Sequence, residues 1–326
     1  MTSILNRQKI NFRSNEDLNA LVLDSIRKIP EDIDLVVAVP RSGYLVAGLI
    51  ALNLNLPMCS YNEFLNGLRP TGGRRAETIK AAKEKPQKVL IVDDSVSSGW
   101  EVERIRGQLR EAQIEEEIVL LAAFVNPEKA GLVDIALELT PRPQIFEWNL
   151  YHHPHLKNAC FDIDGVLCRD ATKEEDDDGP RYLEFIENVE HRIIPSVEVG
   201  WLVTSRLEKY RAPTEAWLKR HGVQYRELIM QDLPDLETRL ALKSDGPFKA
   251  NFYSSCEAFL FVESSVYQAR TIFERTGKAV FCTDTRTFVN ARTLEIPVFG
   301  NPQQMTSSMR RLRSKVRRGL SRLSGR

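Results

Sequence analysis

The chain has 326 residues, 42% hydrophobic and 28% charged, which fits two ordinary globular domains and excludes a disordered or fibrous class. Forty-five basic residues balance 45 acidic ones, yet eight of the basic residues and no acid fall between Arg310 and Arg326, leaving 37 basic against 45 acidic in a body near −8. The longest apolar run, 44–52, contains Gly48 and is too short to span a bilayer, and the first residues lack the apolar stretch of a signal peptide. Cys59, Cys160, Cys168, Cys256 and Cys282 form no CxxC pair and read as reduced thiols of a cytoplasmic protein.

In chain order, 35–39 is an apolar strand running into Pro40-Arg41-Ser42-Gly43, and 44–54 follows as a buried helix. NGLRPTGGRR, 66–75, reads as a loop with a flexible Gly72-Gly73 centre. Residues 89–92 form a second strand, 100–113 a helix with Val102, Ile105 and Leu109 on one face, and 118–125 a third strand. Pro141, Pro143 and Pro154 frame an irregular stretch, which places a domain boundary near 150–158; His152, His153 and His155 inside it read as linker residues rather than metal ligands. Strands at 159–163, 201–203 and 259–262 follow. Alternating strands and helices predict an α/β fold of two domains, 1–150 and 158–300, each an open, mainly parallel sheet flanked by helices. Polar residues end each strand, where open α/β sheets bind ligands.

The stretch VLIVDDSVSSG, 89–99, poses the first chemical question. Small hydroxyl residues where a strand turns into a helix suit an anion, because the helix N-terminus is partly positive. Two acids just before would repel a phosphate, but they can accept vicinal hydroxyls or partner a bound Mg²⁺, so a sugar phosphate fits; a plain helix-capping loop is the alternative. The stretch resembles the phosphoribosyl-diphosphate (PRPP) signature of type I phosphoribosyltransferases, over about 15–150. That resemblance implies that Asp93 and Asp94 hold the ribose 2- and 3-hydroxyls and that Ser95, Ser97, Ser98 and Gly99 cradle the 5-phosphate. It also implies a diphosphate loop at VAVPRSG, with Arg41, Ser42 and Gly43, and a mobile loop in which Arg69, Arg74 and Arg75 cover diphosphate charge. Nothing matches a base-recognition segment well enough to name a base.

FDIDGVL, 161–167, poses the second question. Acids at i and i+2 of a strand point the same way, and two close carboxylates need a cation or a shared proton. A plain turn or a calcium loop is the alternative. With the strand ends Thr204-Ser205-Arg206 and Glu263-Ser264-Ser265, the segment 158–300 resembles the haloacid dehalogenase (HAD) phosphatases. The resemblance implies Asp162 as nucleophile, Asp164 as general acid/base, Thr204 on the phosphoryl oxygens and Lys249, before Lys243, as the neutralising lysine. It further implies Mg²⁺ held by Asp162, Asp164 and Glu263; the family often has two acids where this chain has Glu263-Ser264. Only a small cap fits between Asp162 and Thr204, and the acidic run 173–179 within it reads as a lid or a solvated loop.

Met305, Met309, Leu312, Val316, Leu320 and Leu323 make one face of a helix whose other face is basic, so 303–326 reads as an amphipathic tail at an anionic membrane surface, with a disordered solvated tail or a nucleic-acid-binding one as the alternatives. An acidic body without an aromatic platform makes nucleic acid a poor partner. The combined expectation is a bifunctional, Mg²⁺-dependent bacterial enzyme at the inner face of the membrane. It would transfer 5-phosphoribosyl from PRPP, with inversion, to a lipid-linked saccharide such as an O-antigen or capsule. The second domain would then remove the 5-phosphate to leave a β-ribofuranoside. The alternatives are a nucleobase phosphoribosyltransferase fused to a nucleotidase, and a regulator that binds PRPP without turnover.

Overall fold

A computed structural model of the chain describes residues 10–68 and 87–289. Arg69, Arg74, Arg75 and the basic segment 303–326 lie outside the described residues. The chain divides into two compact units, Met1–His153 and Pro154–Arg326.

The first unit runs β1 (Asn11–Arg13), α1 (Asn15–Ser25), β2 (Leu35–Ala38), α2 (Gly43–Leu54), β3 (Met58–Ser60) and α3 (Tyr61–Leu65). It continues with β4 (Lys88–Val96), α4 (Trp100–Glu111), β5 (Glu117–Val125), β6 (Ile135–Leu139) and β7 (Gln144–Phe146). Capping boxes set two helix starts: Ser14 with Asp17 opens α1, and Ser60 with Glu63 opens α3. Five parallel strands lie in the order β3-β2-β4-β5-β6, and β1 pairs with β7 as a separate parallel ribbon. Alternation along β4 divides the core. Leu90 and Val92 pack with Val46 and Ile50 of α2, whereas Val89 and Ile91 pack with Phe64 of α3 and Val102 and Ile105 of α4. The chain leaves β2 for β3 on one side and β4 for β5 on the other, so the order reverses between β2 and β4.

The second unit runs β8 (Ala159–Phe161), α5 (Pro180–Asn188), β9 (Val199–Leu207), α6 (Arg211–Arg220), β10 (Tyr225–Gln231) and α7 (Leu236–Leu242). After these come α8 (Asp245–Ser255), β11 (Leu260–Glu263), α9 (Val266–Thr276), β12 (Ala279–Cys282) and β13 (Thr287–Phe288). Its sheet has the order β10-β9-β8-β11-β12-β13, parallel except for β13. Here the order reverses between β8 and β11. Ala250 and Tyr253 of α8 pack with Ala269 and Ile272 of α9 against Phe261 and Val280 of the sheet.

The strand limits differ from the expected ones, and each difference moves a functional residue. β4 continues through both acids to Val96, because Asp93, Ser95 and Val96 stay in register with Ala122, Phe124 and Val125 of β5. Polar side chains do not stop a ladder made by the backbone. β9 likewise carries on through Thr204 and Arg206 to Leu207. β8 does the opposite and ends at Phe161, short of the expected 163. After Asp162 the chain winds into a tight turn in which Val166, Leu167 and Cys168 all donate to the Ile163 carbonyl. Gly165 takes φ +76° there.

Candidate functional site

In the first unit the β2–α2 turn and the β4–α4 turn meet at the point of strand reversal. Val39 donates its N–H to the Val92 carbonyl at 2.9 Å, and the Pro40–Arg41 peptide is cis. Gly43 opens α2 so close to β4 that a Cβ there would stand 2.7 Å from the Val92 carbonyl oxygen and 3.3 Å from Asp93 Oδ1. Arg41 is exposed and Ser42 half-buried. The segment 95–99 leads into α4, with Ser97 and Ser98 exposed and Gly99 at φ +88°. Asn126 Nδ2 donates to the Ser97 carbonyl at 3.3 Å and Arg142 Nε to Ser97 Oγ at 3.0 Å.

The two acids given one task in the sequence reading lie on opposite faces of β4. Asp93 shares the face of Val89 and Ile91; Asp94 shares the face of Leu90 and Val92. Asp94 is 5% exposed, and its Oδ2 accepts the indole N–H of Trp148 at 2.8 Å. Asp93 Oδ1 accepts the Asp94 main-chain N–H at 2.8 Å. Burial first, and the Asp94 carboxylate second, push Asp93 well above the usual carboxylate range. Trp148 was not foreseen. It stacks on Phe146 at 4.8 Å, and Phe146 stacks on Phe124 at 5.2 Å.

In the second unit Asp162, Asp164, Thr204 and Glu263 lie at or near the carboxyl ends of β8, β9 and β11, and α8 brings Lys249 to Asp162 and Glu263. The ammonium of Lys249, 1% exposed, donates to Asp162 Oδ2 and Glu263 Oε2, both at 2.6 Å, and to Gln268 Oε1 at 2.7 Å. Lys243 stays at the left-handed C-cap of α7, outside the cluster. Glu263 Oε1 accepts the Ser264 and Ser265 amides at 2.9 Å each. Burial, then the Glu263 and Asp164 charges, push Asp162 well above the usual range even with Lys249 beside it. Burial alone would raise Asp164 too, but Arg206 overrides it. Its Nε and Nη2 grip the two Asp164 oxygens at 2.9 and 2.7 Å and hold the carboxyl below its ordinary value. Arg206 was quoted in the sequence but given no role. Two positions after Thr204 on one strand, it shares that residue's face, which is the signal that marks it.

The early end of β8 undoes the expectation that Asp162 and Asp164 point the same way: one turns to Lys249 and the other to Arg206. Asp162 and Glu263 thus meet at Lys249, while Asp164 is paired with Arg206. Among the described residues no three His, Cys, Asp or Glu side chains are gathered to hold a metal ion. The cation between Asp162 and Glu263 is Lys249. The acidic run is pinned at Asp177 and Asp178, while Lys173 and Glu174 stay exposed. Asp177 caps α5 through the Gly179 and Tyr182 amides, and Asp178 accepts from Lys209, Tyr210 and the Leu236 amide. An open groove of about 720 Å³, lined by residues including Arg169, Glu184 and Phe185, lies along α5. Arg192 on its wall donates to the Gly165 carbonyl at 2.6 Å.

No family model matches the chain. A transcriptional regulator, GfcR, of Methanococcoides burtonii is 30% identical over 113 residues, which cover 35% of this chain and 55% of the regulator. The chain thus spans about half the length of that curated relative. A Helicobacter pylori xanthine-guanine-hypoxanthine phosphoribosyltransferase is 17% identical, with a TM-score of 0.34, over 44% of this chain and 94% of its own. A hypothetical Neisseria gonorrhoeae protein with bound ppGpp is 14% identical, with a TM-score of 0.32, over 44% and 90%. Among the described residues no helix is long and apolar enough to cross a membrane.

Proposed function

We propose that the first unit transfers 5-phosphoribosyl from PRPP to an acceptor hydroxyl and that the second unit removes the 5-phosphate. One observation carries the reading. At the strand reversal of the first sheet, a hydroxyl-lined turn entering a helix adjoins a carboxylate and a second turn bearing Arg41. That grouping can take a phosphate, a ribose diol and a diphosphate side by side. Diphosphate leaves C1 as the acceptor oxygen attacks the opposite face, turning the α donor into a β product. Magnesium would enter as the counter-ion of the diphosphate, and Arg41 would stabilise the departing charge.

In the second unit Asp162 would attack the phosphorus of the 5-phosphate ester. A monoanionic ester brings the proton that its own leaving oxygen needs. Asp164, held ionised by Arg206, would take a proton from the water that then cleaves the aspartyl phosphate. Lys249 would offset phosphoryl charge. The acceptor best suited to an open groove and a basic amphipathic tail is a lipid-linked saccharide at the membrane's inner face.

The test supplies PRPP and Mg²⁺ with either a lipid-linked saccharide or free bases and follows diphosphate release. The Asp162→Asn variant is expected to accumulate a phosphorylated ribosyl product. A final product identical to the wild type's would remove the second step. The name of the curated relative favours a second reading, in which the first unit senses PRPP without consuming it; binding without diphosphate release under every acceptor would establish that instead.

A further inference from the structure

We infer that the two adjacent acids of β4 divide their labour: Asp93 is the acid that meets the pentose, Asp94 is an anchor, and Trp148 is the residue that positions both. This rests on the reading of the first unit as a PRPP site. The contacts form a relay. The Trp148 indole N–H donates to Asp94 Oδ2 at 2.8 Å, and the Asp94 main-chain N–H donates to Asp93 Oδ1 at 2.8 Å. Asp94 is 5% exposed on the face of β4 packed with α2, where a ligand at the mouth of the sheet cannot replace its partner without opening the core. Asp93 lies on the other face, beside the Gly43 turn and next in line to the segment 95–99.

Trp148 is itself fixed. Its ring lies nearly parallel to Phe146, 4.8 Å and 6° apart, and Phe124 of β5 extends the stack. Phe124 is in register with Ser95 of β4, so the aromatic stack and the acids are tied to neighbouring rungs of one ladder. A carboxylate buried this deeply needs a donor, and the indole N–H supplies one without adding a charge that would compete for diphosphate. The effect on the ligand is indirect. Losing the indole N–H frees the Asp94 backbone to shift, and the amide that orients Asp93 shifts with it.

Calorimetry with PRPP and with inorganic diphosphate, both with Mg²⁺, tests the relay. Trp148→Phe keeps an aromatic ring in the stack and removes the N–H together with the pyrrole ring that carries it. It is expected to weaken PRPP about tenfold, the scale of one hydrogen bond to a charged group, and to leave diphosphate unchanged. Asp93→Asn is expected to weaken PRPP more than Asp94→Asn does. The Trp148→Phe/Asp94→Asn double variant should be no weaker than the worse single variant, because both act on one relay. Unchanged PRPP affinity in Trp148→Phe, equal loss of diphosphate, additive losses or a larger effect from Asp94 than from Asp93 each overturns the inference while leaving the PRPP site standing. A wild type that binds no PRPP overturns both. Should Trp148→Phe fail to fold, hydrogen exchange at the wild type's four indole N–H groups decides. One of them should slow with PRPP and not with diphosphate, and four unaffected rates would count against the relay.

Discussion

Both units place acids where a parallel sheet reverses its strand order, yet they settle the electrostatic cost in opposite ways. In the second unit every acid of the cluster has a cation or a set of amides. Lys249 spans Asp162 and Glu263, and Arg206 grips both oxygens of Asp164. In the first unit, among the described residues, Asp93 and Asp94 meet only neutral donors: the Asp94 main-chain N–H, the Trp148 indole N–H and, at 3.4 Å, the Ser95 hydroxyl. The difference teaches what each site is prepared for. A cluster already holding its cations meets an anion with a fixed field. A carboxylate left without a cation keeps its acceptor capacity for hydroxyls or for a metal-bound diphosphate.

The comparison breaks most visibly at Lys249. Lys249→Met would leave Asp162 and Glu263 buried against each other with no compensating charge, a loss of about 3–5 kcal/mol near neutral pH. Urea unfolding should show that deficit shrinking toward about pH 4, where protonated carboxylates can stay buried. A Lys249→Met protein as stable as the wild type at pH 7 would show that the cluster is not held by charge. Arg206→Met comes next, at about 2–3 kcal/mol, because Asp164 is 21% exposed at its side chain and water can take over part of the pairing. Arg206→Lys should recover little, since an ammonium cannot make the two-pronged contact. Equal stability of the Lys and Arg forms would count against that geometry.

How much of this was legible beforehand depends on what each residue needed to be recognised. The strands 35–39 and 118–125 and the helix 44–54 announce themselves by apolar runs bounded by turn residues, and the structure places β2, β5 and α2 within one or two residues of them. The paired acids were read as the end of a strand, because local chemistry takes a charge as a boundary. The ladder to β5 overrides that preference, and period-two alternation then sends Asp93 and Asp94 to opposite faces. Lys249 entered the expected cluster through its distance from Glu263, a spacing the chain displays. Trp148 could not be found that way. It sits 54 residues beyond Asp94, in a short 3-10 helix after β7, and only the folded sheet brings them together.

Two glycines sharpen the comparison at a smaller scale. A Cβ on Gly165 would stand 2.1 Å from Ser264 Oγ, and the residue takes φ +76°. Gly165→Ala therefore adds strain to crowding and should cost about 2 kcal/mol in thermal unfolding. Gly43→Ala meets only crowding, at 2.7 Å from the Val92 carbonyl oxygen, and should cost about 1 kcal/mol. The reverse order would mean that the first unit, not the second, has the tighter turn at its acids.

The smallest effect is also the most direct measure of the contrast, because Asp93 and Asp164 should respond to pH with opposite signs. Arg206 holds Asp164 below its ordinary value, so the stability it contributes is present above about pH 4 and fades as pH falls through the folded value. Burial and the Asp94 charge hold Asp93 well above its ordinary value. Its favourable share is therefore complete below about pH 4 and is lost as pH climbs. Asp93→Asn removes that titration. Against the wild type, the variant should gain stability steadily from about pH 4 toward neutrality and show no advantage at the acid end, read from urea midpoints at each pH. Asp164→Asn should behave the other way, losing most at neutral pH and least in acid. If the two difference curves slope in the same direction, the first unit balances its acids as the second one does, and the case for Asp93 as an acceptor kept open for a ligand falls with it.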